Sequence, residues 1–341
     1  MANLMRVADL PTPALVVDTA AFTRNLDTMS AALPGARLRP HVKAHKCTSL
    51  AREQANRGHL GFTGATPREL LGLARADLGT DLLLANESVD DARLRALADC
   101  GARVTVAVDS EATVDAAARN GIREVLVDIN VGIPRCGVRV EDAEAIADYA
   151  RNHELAVRGT MGYEGHAVLV EDGTERRKLT DESMALLARA HETVGGEILS
   201  GGGTGTYELN EIATEIQAGS YALMDTAYAK LDIPFDLALA VVGTVIHANP
   251  KWCVADCGLK ALGMDHGNPT IRDADVVFCS DEHITFVPRT RAVVGDRVLV
   301  WPAHVDPTVA YHDVMHLADG PGVDANVIDA WPVDLRGWDP R

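Results

Sequence analysis

Short apolar runs alternate with amphipathic stretches along the first two-thirds of the chain. The runs are bounded by glycine, aspartate or asparagine, which is typical of buried strands. About eight of them can be counted, beginning at Leu38, Leu60, Asp81, Arg103, Glu124, Ala156, Glu197 and Glu215. Helical stretches are predicted at 19–32, 49–57, 67–76, 89–99, 111–120 and 142–152. Strict β/α alternation requires a parallel sheet covered by helices, and eight repeats favour a closed (β/α)8 barrel over an open sheet.

The pattern changes after residue 234. The runs ALAVVGTVIHA, KWCVADCG, ADVVFCS, HITFV and DRVLVWPAH follow one another without long helices between them. They predict a mostly antiparallel β domain, and the strand-like segment before Asp18 is expected to pair with it. We therefore predict a barrel over residues 14–235 and a β domain over residues 236–341 together with residues 1–13.

Composition and charge narrow the possible partners. The 341 residues suit a barrel of roughly 250 residues with an appended domain. The net charge of −17 disfavours nucleic acid and anionic membranes as partners. The six cysteines are scattered, and the N-terminal region has neither a signal-peptide pattern nor an apolar span of membrane length. These features predict a cytoplasmic protein that acts on a small molecule.

Two glycine-containing turns follow the seventh and eighth predicted strands. The first, at 200–206, has three successive glycines ending at Gly203, and then the hydroxyl of Thr204. The second, at 218–221, includes Gly219 and Ser220. Barrel enzymes often bind phosphate at these two loops, and glycine lets backbone amides approach an anion closely. The pair of turns therefore predicts a phosphate site.

A lysine is expected at the same end of the barrel. The first predicted strand ends in RPHVKAHK, and Lys43 would point into the barrel mouth if His41 does. A lysine among apolar neighbours is a usable amine for imine chemistry. A phosphate site with an inward lysine is the minimum that pyridoxal 5'-phosphate requires. Lys46 is the alternative attachment residue.

Five motifs occur in order and together resemble the D-threonine aldolase and D-serine dehydratase group of pyridoxal-phosphate enzymes, which have the alanine-racemase-like fold. The resemblance extends from about residue 10 to about residue 315. The motifs are Thr-Pro-Ala at 12–14, RPHVKAHK at 39–46, YEGH at 163–166, GGGTGTY at 201–207 and QAGSY at 217–221.

The resemblance implies a set of cofactor-binding residues. It implies a Schiff base at Lys43, an arginine near the cofactor ring that Arg135 matches, and a cofactor contact from Tyr228. We also assign Tyr163 and Gly203, within the quoted motifs, to cofactor binding. Phosphate contacts are implied for Thr204, Gly219 and Ser220.

The family also has a divalent metal on a His-x-Asp or His-x-Cys pair in the β domain. Here the pair is His304 and Asp306. On an extended segment these residues share a face, and imidazole with carboxylate suits Mn²⁺, Zn²⁺, Co²⁺ or Mg²⁺. His312 and His316 are expected to be surface or outer residues.

The expected activity is cleavage of a D-3-hydroxy amino acid to glycine and an aldehyde. His166 is the candidate base because imidazole titrates near neutrality, and a metal-bound hydroxide is the alternative base. The alternative is a D-serine or 3-hydroxy-D-aspartate dehydratase that uses the same cofactor and metal. The dehydratases of this group have Cys where this chain has Asp306, which favours the aldolase. A non-catalytic pyridoxal-phosphate carrier is a third possibility. The resemblance further implies a homodimer.

Overall fold

The computed structural model describes residues 5–338, which form two compact units. Residues 1–4 and 339–341 of the predicted β domain lie outside the described residues, and the predicted boundaries 14–235 and 236–341 stay a prediction. The barrel unit comprises Met29–Lys43, Leu50–Gly219 and the segment from Leu335. The β unit comprises the segment up to Thr28, Ala44–Ser49 and Ser220–Asp334.

The strands and helices are as follows. The strands are β1 (Ala14–Asp18), β2 (Gly61–Gly64), β3 (Asp81–Leu84), β4 (Val104–Val108), β5 (Glu124–Asp128), β6 (Ala156–Met161), β7 (Ile198–Gly201), β8 (Glu215–Ile216), β9 (Leu239–Ala248), β10 (Cys253–Ala255), β11 (Thr270–Ile271), β12 (Ala274–Cys279), β13 (Ile284–Pro288), β14 (Arg297–Trp301), β15 (Val314–Ala318) and β16 (Val327–Pro332). The helices are α1 (Thr19–Ala32), α2 (Thr48–Asn56), α3 (Pro67–Arg75), α4 (Asp91–Ala98), α5 (Glu111–Arg119), α6 (Ala143–Asn152), α7 (Gly173–Val194) and α8 (Val305–Tyr311).

Local capping fixes where the barrel helices begin. The side chain of Thr66 accepts a hydrogen bond from the N–H of Glu69, and Pro67 occupies the first turn of α3. Ser110 accepts in the same way from the N–H of Thr113 at the start of α5. These caps satisfy backbone donors that the first helical turn leaves without partners.

The barrel sheet consists of β2 to β8 in chain order, each strand parallel to the next. Residues 38–41 close the ring between β8 and β2, because Arg39 donates its N–H to Ile216 O at 2.9 Å and Thr63 donates to Pro40 O at 2.9 Å. The expectation of a (β/α)8 barrel is confirmed. The expectation of a regular first strand is wrong, since only isolated bridges join this segment to its neighbours. Pro40 has no N–H for a ladder, and Lys43 lies in a 3-10 turn that follows.

Side-chain alternation along the strands separates two apolar clusters. One cluster lies inside the ring, with one residue from each of five successive strands: Leu83, Ala107, Leu126, Met161 and Ile198. The neighbouring strand residues, including Leu82 and Leu84, belong to the larger cluster that contacts the helices. Both faces of the sheet are therefore buried, as expected for parallel strands in a barrel.

Ion pairs fill the end of the ring where the strands begin. Arg158 donates to Asp81 at 3.1 Å and to Glu197 at 2.9 Å, while Arg39 donates to Glu215 at 2.8 Å. Both arginines are buried. The charges compensate one another at the end of the barrel opposite the predicted site.

The β unit is a mixed sheet in the order β12-β13-β10-β9-β1-β15-β16, and β14 pairs with β9 and β11. Strand β1 pairs antiparallel with β9 and parallel with β15, so the expected pairing of the segment before Asp18 is confirmed. Among residues 5–338, no helix has both the length and the apolar character needed to span a bilayer.

The segment at 304–306 differs from the prediction. His304 is extended, with φ −140° and ψ 118°, but it is the N-cap of α8, and Asp306 lies in the first helical turn. An acidic residue and a proline, Pro307, both suit a first turn, which explains why a helix begins here. The assumption of an extended His-x-Asp segment is therefore wrong, although the two side chains remain close, as described below.

Candidate active site

Most of the predicted cofactor-binding residues follow the carboxyl ends of barrel strands, where barrel enzymes hold their catalytic groups. Lys43 follows the closing segment, and Arg135 lies in the loop after β5. The remaining positions are Tyr163 and His166 after β6, Gly203 and Thr204 after β7, and Gly219 after β8.

Tyr163 brings two predicted cations together. The Nζ atom of Lys43 and the guanidinium carbon of Arg135 each lie 5.5 Å from the centroid of the Tyr163 ring. Lys43 is half-buried. Cations at this distance are attracted to the ring face. The structure thus assembles three residues that are 28 or more positions apart in sequence, and it concentrates positive charge where an anionic cofactor is expected.

The glycine turn after β7 contacts the same tyrosine. A Cβ atom placed on Gly203 would lie 3.5 Å from Cε2 of Tyr163 and 3.3 Å from Cγ1 of Val168. The neighbouring Gly202 has φ 78°, a conformation that favours glycine. The turn therefore approaches Tyr163 at a distance that leaves little room for a side chain.

Glu164 organises this turn from within. It is fully buried, and its carboxylate accepts hydrogen bonds from the Gly202 N–H at 3.2 Å and the Thr206 hydroxyl at 2.7 Å. Burial raises the pKa of Glu164, although these hydrogen bonds oppose the shift. The Gly203 N–H donates to Thr206 Oγ1 at 3.0 Å. The amides of Gly202 and Gly203 are thus engaged inside the turn.

The residues with predicted phosphate contacts lie further along the chain than Gly202 and Gly203. Thr204, Gly219 and Ser220 are all buried. Within the barrel unit, the hydroxyl of Thr204 and the backbone of Gly219 follow two adjacent strands, and small residues of this kind are typical of anion sites. Gly203 contributes space beside Tyr163, since its own N–H bonds Thr206.

His166 packs against the loop that contains Arg135. Its Cε1 would lie 2.9 Å from a Cβ atom on Gly132, whose φ of 132° also favours glycine. His166 is exposed, and its Nε2 lies 3.5 Å from Ser183 Oγ. The loop is closed by hydrogen bonds from Asn130 N to Val138 O and from Val138 N to Asp128 O, each 2.9 Å.

An acidic group supports the base of that loop. Glu87, Asp109 and Cys136 place one ligand-type atom each within 4.8 Å of the others. Asp109 accepts from the Gly137 N–H at 3.2 Å. Burial and the adjacent Glu87 raise the pKa of Asp128 well above its usual value.

The predicted metal residues meet in the β unit. Nε2 of His304 lies 3.9 Å from Oδ1 of Asp306, and Ser220 Oγ donates to the same Oδ1 at 3.4 Å. A separation of 3.9 Å is too long for a hydrogen bond. It is shorter than two metal–ligand bonds of about 2.0–2.2 Å placed end to end, so both atoms can contact one divalent ion.

Two further residues surround the imidazole of His304. Nδ1 lies 2.9 and 2.8 Å from the two carboxylate oxygens of Asp265. The ring of His266 stacks on that of His304 with centroids 3.9 Å apart. Partial burial raises the pKa of Asp265, but the hydrogen bond and charge of His304 outweigh it, and the net shift is downward.

Asp225 joins the Tyr228 turn to the start of α8 within the β unit. It is fully buried and accepts from the N–H groups of Ala227 at 3.1 Å, Tyr228 at 3.0 Å and Val305 at 2.9 Å. Burial raises its pKa to about 6. Tyr228 is itself 7% exposed. Asp225 therefore fixes the residue next to His304.

Sequence reasoning missed three of these residues. Glu164 lies inside the YEGH motif and Asp225 three residues before Tyr228, so an acid within a recognised motif was an available signal. Asp265 had none, because its partner is 39 positions away. His312 and His316 do not form a helical pair, since His316 is in β15, and His312 Nε2 bonds Ala261 O at 3.0 Å.

Comparisons with known proteins agree with this architecture. Residues 17–227 match the alanine racemase N-terminal domain, and residues 238–318 match the putative serine dehydratase domain. The chain is 32% identical to 3-hydroxy-D-aspartate aldolase of Paracoccus denitrificans, over 98% of this chain and 94% of that protein. It is 31% identical to D-threonine aldolase of an Arthrobacter species, over 97% and 94%.

A solved structure gives the same result. The crystal structure of D-threonine aldolase from Filomicrobium marinum superposes with a TM-score of 0.93 at 31% identity, covering 99% of this chain and 98% of the other. Both halves of the chain are therefore accounted for by enzymes of one type, which argues against a carrier that consists of a barrel alone. The chain belongs to the D-threonine aldolase and D-serine dehydratase-like family, the pyridoxal-phosphate lyases of the alanine racemase fold type.

Proposed function

We propose that the protein is a metal-dependent aldolase that cleaves D-3-hydroxy amino acids to glycine and an aldehyde. The observation that supports it most directly is the convergence of Lys43 and Arg135 on the ring of Tyr163, next to the glycine turn. The residues fit pyridoxal 5'-phosphate, because a half-buried amine, a second cation and a turn without side-chain bulk occupy one end of the barrel.

Each residue has a defined part in this proposal. Lys43 provides the amine that attaches the cofactor, and Arg135 and Tyr163 orient its ring. Bound there, the cofactor would supply an electron sink for the carbanion that remains when the Cα–Cβ bond breaks. Phosphate contacts are proposed for Thr204, Gly219 and Ser220, and a further cofactor contact for Tyr228.

The metal residues have a separate task. His304 and Asp306 would hold a divalent ion, which supplies Lewis acidity toward the substrate β-hydroxyl. His166 is the candidate for the group that accepts the hydroxyl proton, since imidazole exchanges protons near neutral pH.

The product distinguishes the aldolase from the dehydratase. The oxygen ligand at Asp306 favours the aldolase, because the dehydratases of this group have cysteine there. With D-threonine, an aldolase releases glycine and acetaldehyde, whereas a dehydratase releases 2-oxobutyrate and ammonia. We expect glycine and aldehyde in equal amounts, lost when EDTA removes the metal and restored by Mn²⁺. Accumulation of 2-oxobutyrate without glycine would overturn the aldolase assignment.

The substrate side chain can be tested in the same assay. The two phosphate turns are joined by the short segment 207–216. One aldolase relative is named for D-threonine and another for 3-hydroxy-D-aspartate. The values of kcat/KM for these two substrates and for a D-3-hydroxy amino acid with an aromatic side chain would identify the preferred side chain.

We further propose that the protein is cytoplasmic and forms a homodimer. Sedimentation at several protein concentrations would test the homodimer.

A further inference from the structure

The imidazole of His304 has two nitrogens in different surroundings. Nδ1 is 2.8 and 2.9 Å from the Asp265 oxygens, the length of a charge-assisted hydrogen bond. Nε2 faces Asp306 Oδ1 at 3.9 Å, beyond hydrogen-bond length. An ion on the Asp265 side would have to replace an existing hydrogen bond, whereas the Asp306 side has room for two metal–ligand bonds.

The geometry points to Asp265 as the positioning residue of the metal site, acting through His304. By accepting a hydrogen bond from Nδ1–H, Asp265 selects the tautomer in which Nε2 has its lone pair directed at Asp306. This inference rests on the proposed metal-dependent function, because it assigns a role beside the same ion. Neither the sequence motif nor the resemblance includes Asp265.

Neighbouring contacts fix the remaining freedom of the imidazole. His266 stacks on the ring at 3.9 Å with an interplanar angle of 13°, so rotation about the Cβ–Cγ bond would break the stack. The backbone of His304 is held on both sides, by a bridge to Gly263 and by the Val305 N–H that donates to Asp225 at 2.9 Å. A 180° flip of the ring would keep the stack, so the hydrogen bond to Asp265 determines which edge of the ring faces it and which nitrogen bears the proton.

An acceptor of this kind strengthens metal binding in a characteristic way. A carboxylate on the distal nitrogen orients the ring, fixes the tautomer and makes the ligating nitrogen more basic. Loss of such a partner typically weakens metal binding by about 10–100-fold. Because the Asp265 side chain is 59% exposed, its replacement is not expected to unfold the protein.

The first test needs neither metal nor substrate. In metal-free, ¹⁵N-labelled protein, long-range imidazole correlation spectra report which ring nitrogen bears the proton, and loss of one signal set in His304→Asn assigns the residue. At a pH high enough for the imidazole to be neutral, we expect the Nδ1–H tautomer in the wild type and a shift toward Nε2–H in Asp265→Ala. An Nε2–H tautomer in the wild type, or an unchanged tautomer in Asp265→Ala, would overturn the inference.

The second test measures metal affinity directly, by competition of Mn²⁺ or Zn²⁺ with a chromophoric chelator. We expect Asp265→Ala to weaken binding by about 10–100-fold and Asp265→Asn to weaken it less, because the amide oxygen still accepts from Nδ1–H. Asp275→Ala is the matched control, an exposed aspartate of the same unit that pairs with Arg289.

The outcomes separate the two hypotheses. If the wild type binds metal more tightly than His304→Asn but Asp265→Ala binds as the wild type does, the positioning role is wrong and the metal site stands. If the wild type binds no more tightly than His304→Asn, the proposed metal function is wrong. The tautomer measurement still decides whether Asp265 controls the imidazole.

Discussion

Replacement of Glu164 tests how the cofactor turn is built. Its carboxylate is fully buried and accepts from two donors, the Gly202 N–H and the Thr206 hydroxyl, at 3.2 and 2.7 Å. In Glu164→Ala both donors lose their acceptor in a buried environment. Each such loss costs about 1–3 kcal/mol, which gives a destabilisation of about 2–6 kcal/mol.

The conservative variant should cost much less. In Glu164→Gln the amide oxygen can still accept from the Gly202 N–H, and the Thr206 hydroxyl can rotate to accept from the amide nitrogen. Only the charge assistance is lost, so we expect about 1–2 kcal/mol. Both variants remove the same negative charge. The difference between their losses of unfolding free energy therefore reports the two hydrogen bonds alone.

Urea unfolding and cofactor titration measure the two consequences. The apo proteins are unfolded in urea at neutral pH, and pyridoxal-phosphate affinity is followed by absorbance. Glu182→Ala, an exposed glutamate on α7, is the control and should behave like the wild type. We expect Glu164→Ala to lower both stability and cofactor affinity. If the free energy of unfolding of Glu164→Ala lies within about 0.5 kcal/mol of that of the control, the carboxylate does not stabilise the turn, and our reasoning is refuted.

Three other predictions concern separate parts of the molecule. In Lys43→Ala, the imine absorbance of protein with added cofactor and the borohydride-reducible adduct should both disappear, whereas persistence of an adduct at another lysine would contradict our assignment. Burial raises the pKa of Asp81, but the hydrogen bonds and charges of Arg158 and Arg39 outweigh it, so the net shift is downward. The ionised Asp81 therefore stabilises the protein above the unfolded-state pKa, and this contribution is lost as pH falls through the lower folded-state pKa. Asp81→Asn should flatten the acid limb of a plot of melting temperature against pH below about pH 4. In Gly132→Ala, the new Cβ would lie 2.9 Å from the ring carbon of His166 and would displace the imidazole. If His166 acts in the reaction, kcat should fall by about 10-fold or more. An unchanged kcat would contradict this prediction.

Much of the barrel follows from local signals in the sequence. Apolar runs separated by helical stretches predicted β2 to β8 nearly at their observed positions, and Thr66 and Ser110 cap two of the predicted helices. The two small-residue turns also follow β7 and β8, as the sequence indicates. Such features depend on neighbouring residues, whose backbone preferences and hydrogen bonds act over a few positions.

The predictions failed where a longer-range contact competes with the local pattern. Residues 38–41 look like a strand but close the ring through isolated bridges, because their partners come from both β2 and β8 and Pro40 cannot donate. The extended pattern assumed for His304 to Asp306 was wrong, since Asp225 accepts the first N–H of a helix that begins there. In both cases the deciding partner lies outside the segment.

The sequence by itself determined the β/α order, the glycine turns, the lysine of the RPHVKAHK motif and the family of the chain. Only the tertiary structure decided that Lys43 and Arg135 meet at one tyrosine ring, that Glu164 occupies the amides of the glycine turn, and that Asp265 faces Nδ1 of His304. Local sequence fixes backbone conformation, because that depends on adjacent residues. Contacts between side chains many positions apart depend on how whole strands and loops are placed, and these contacts decide which atoms can act together.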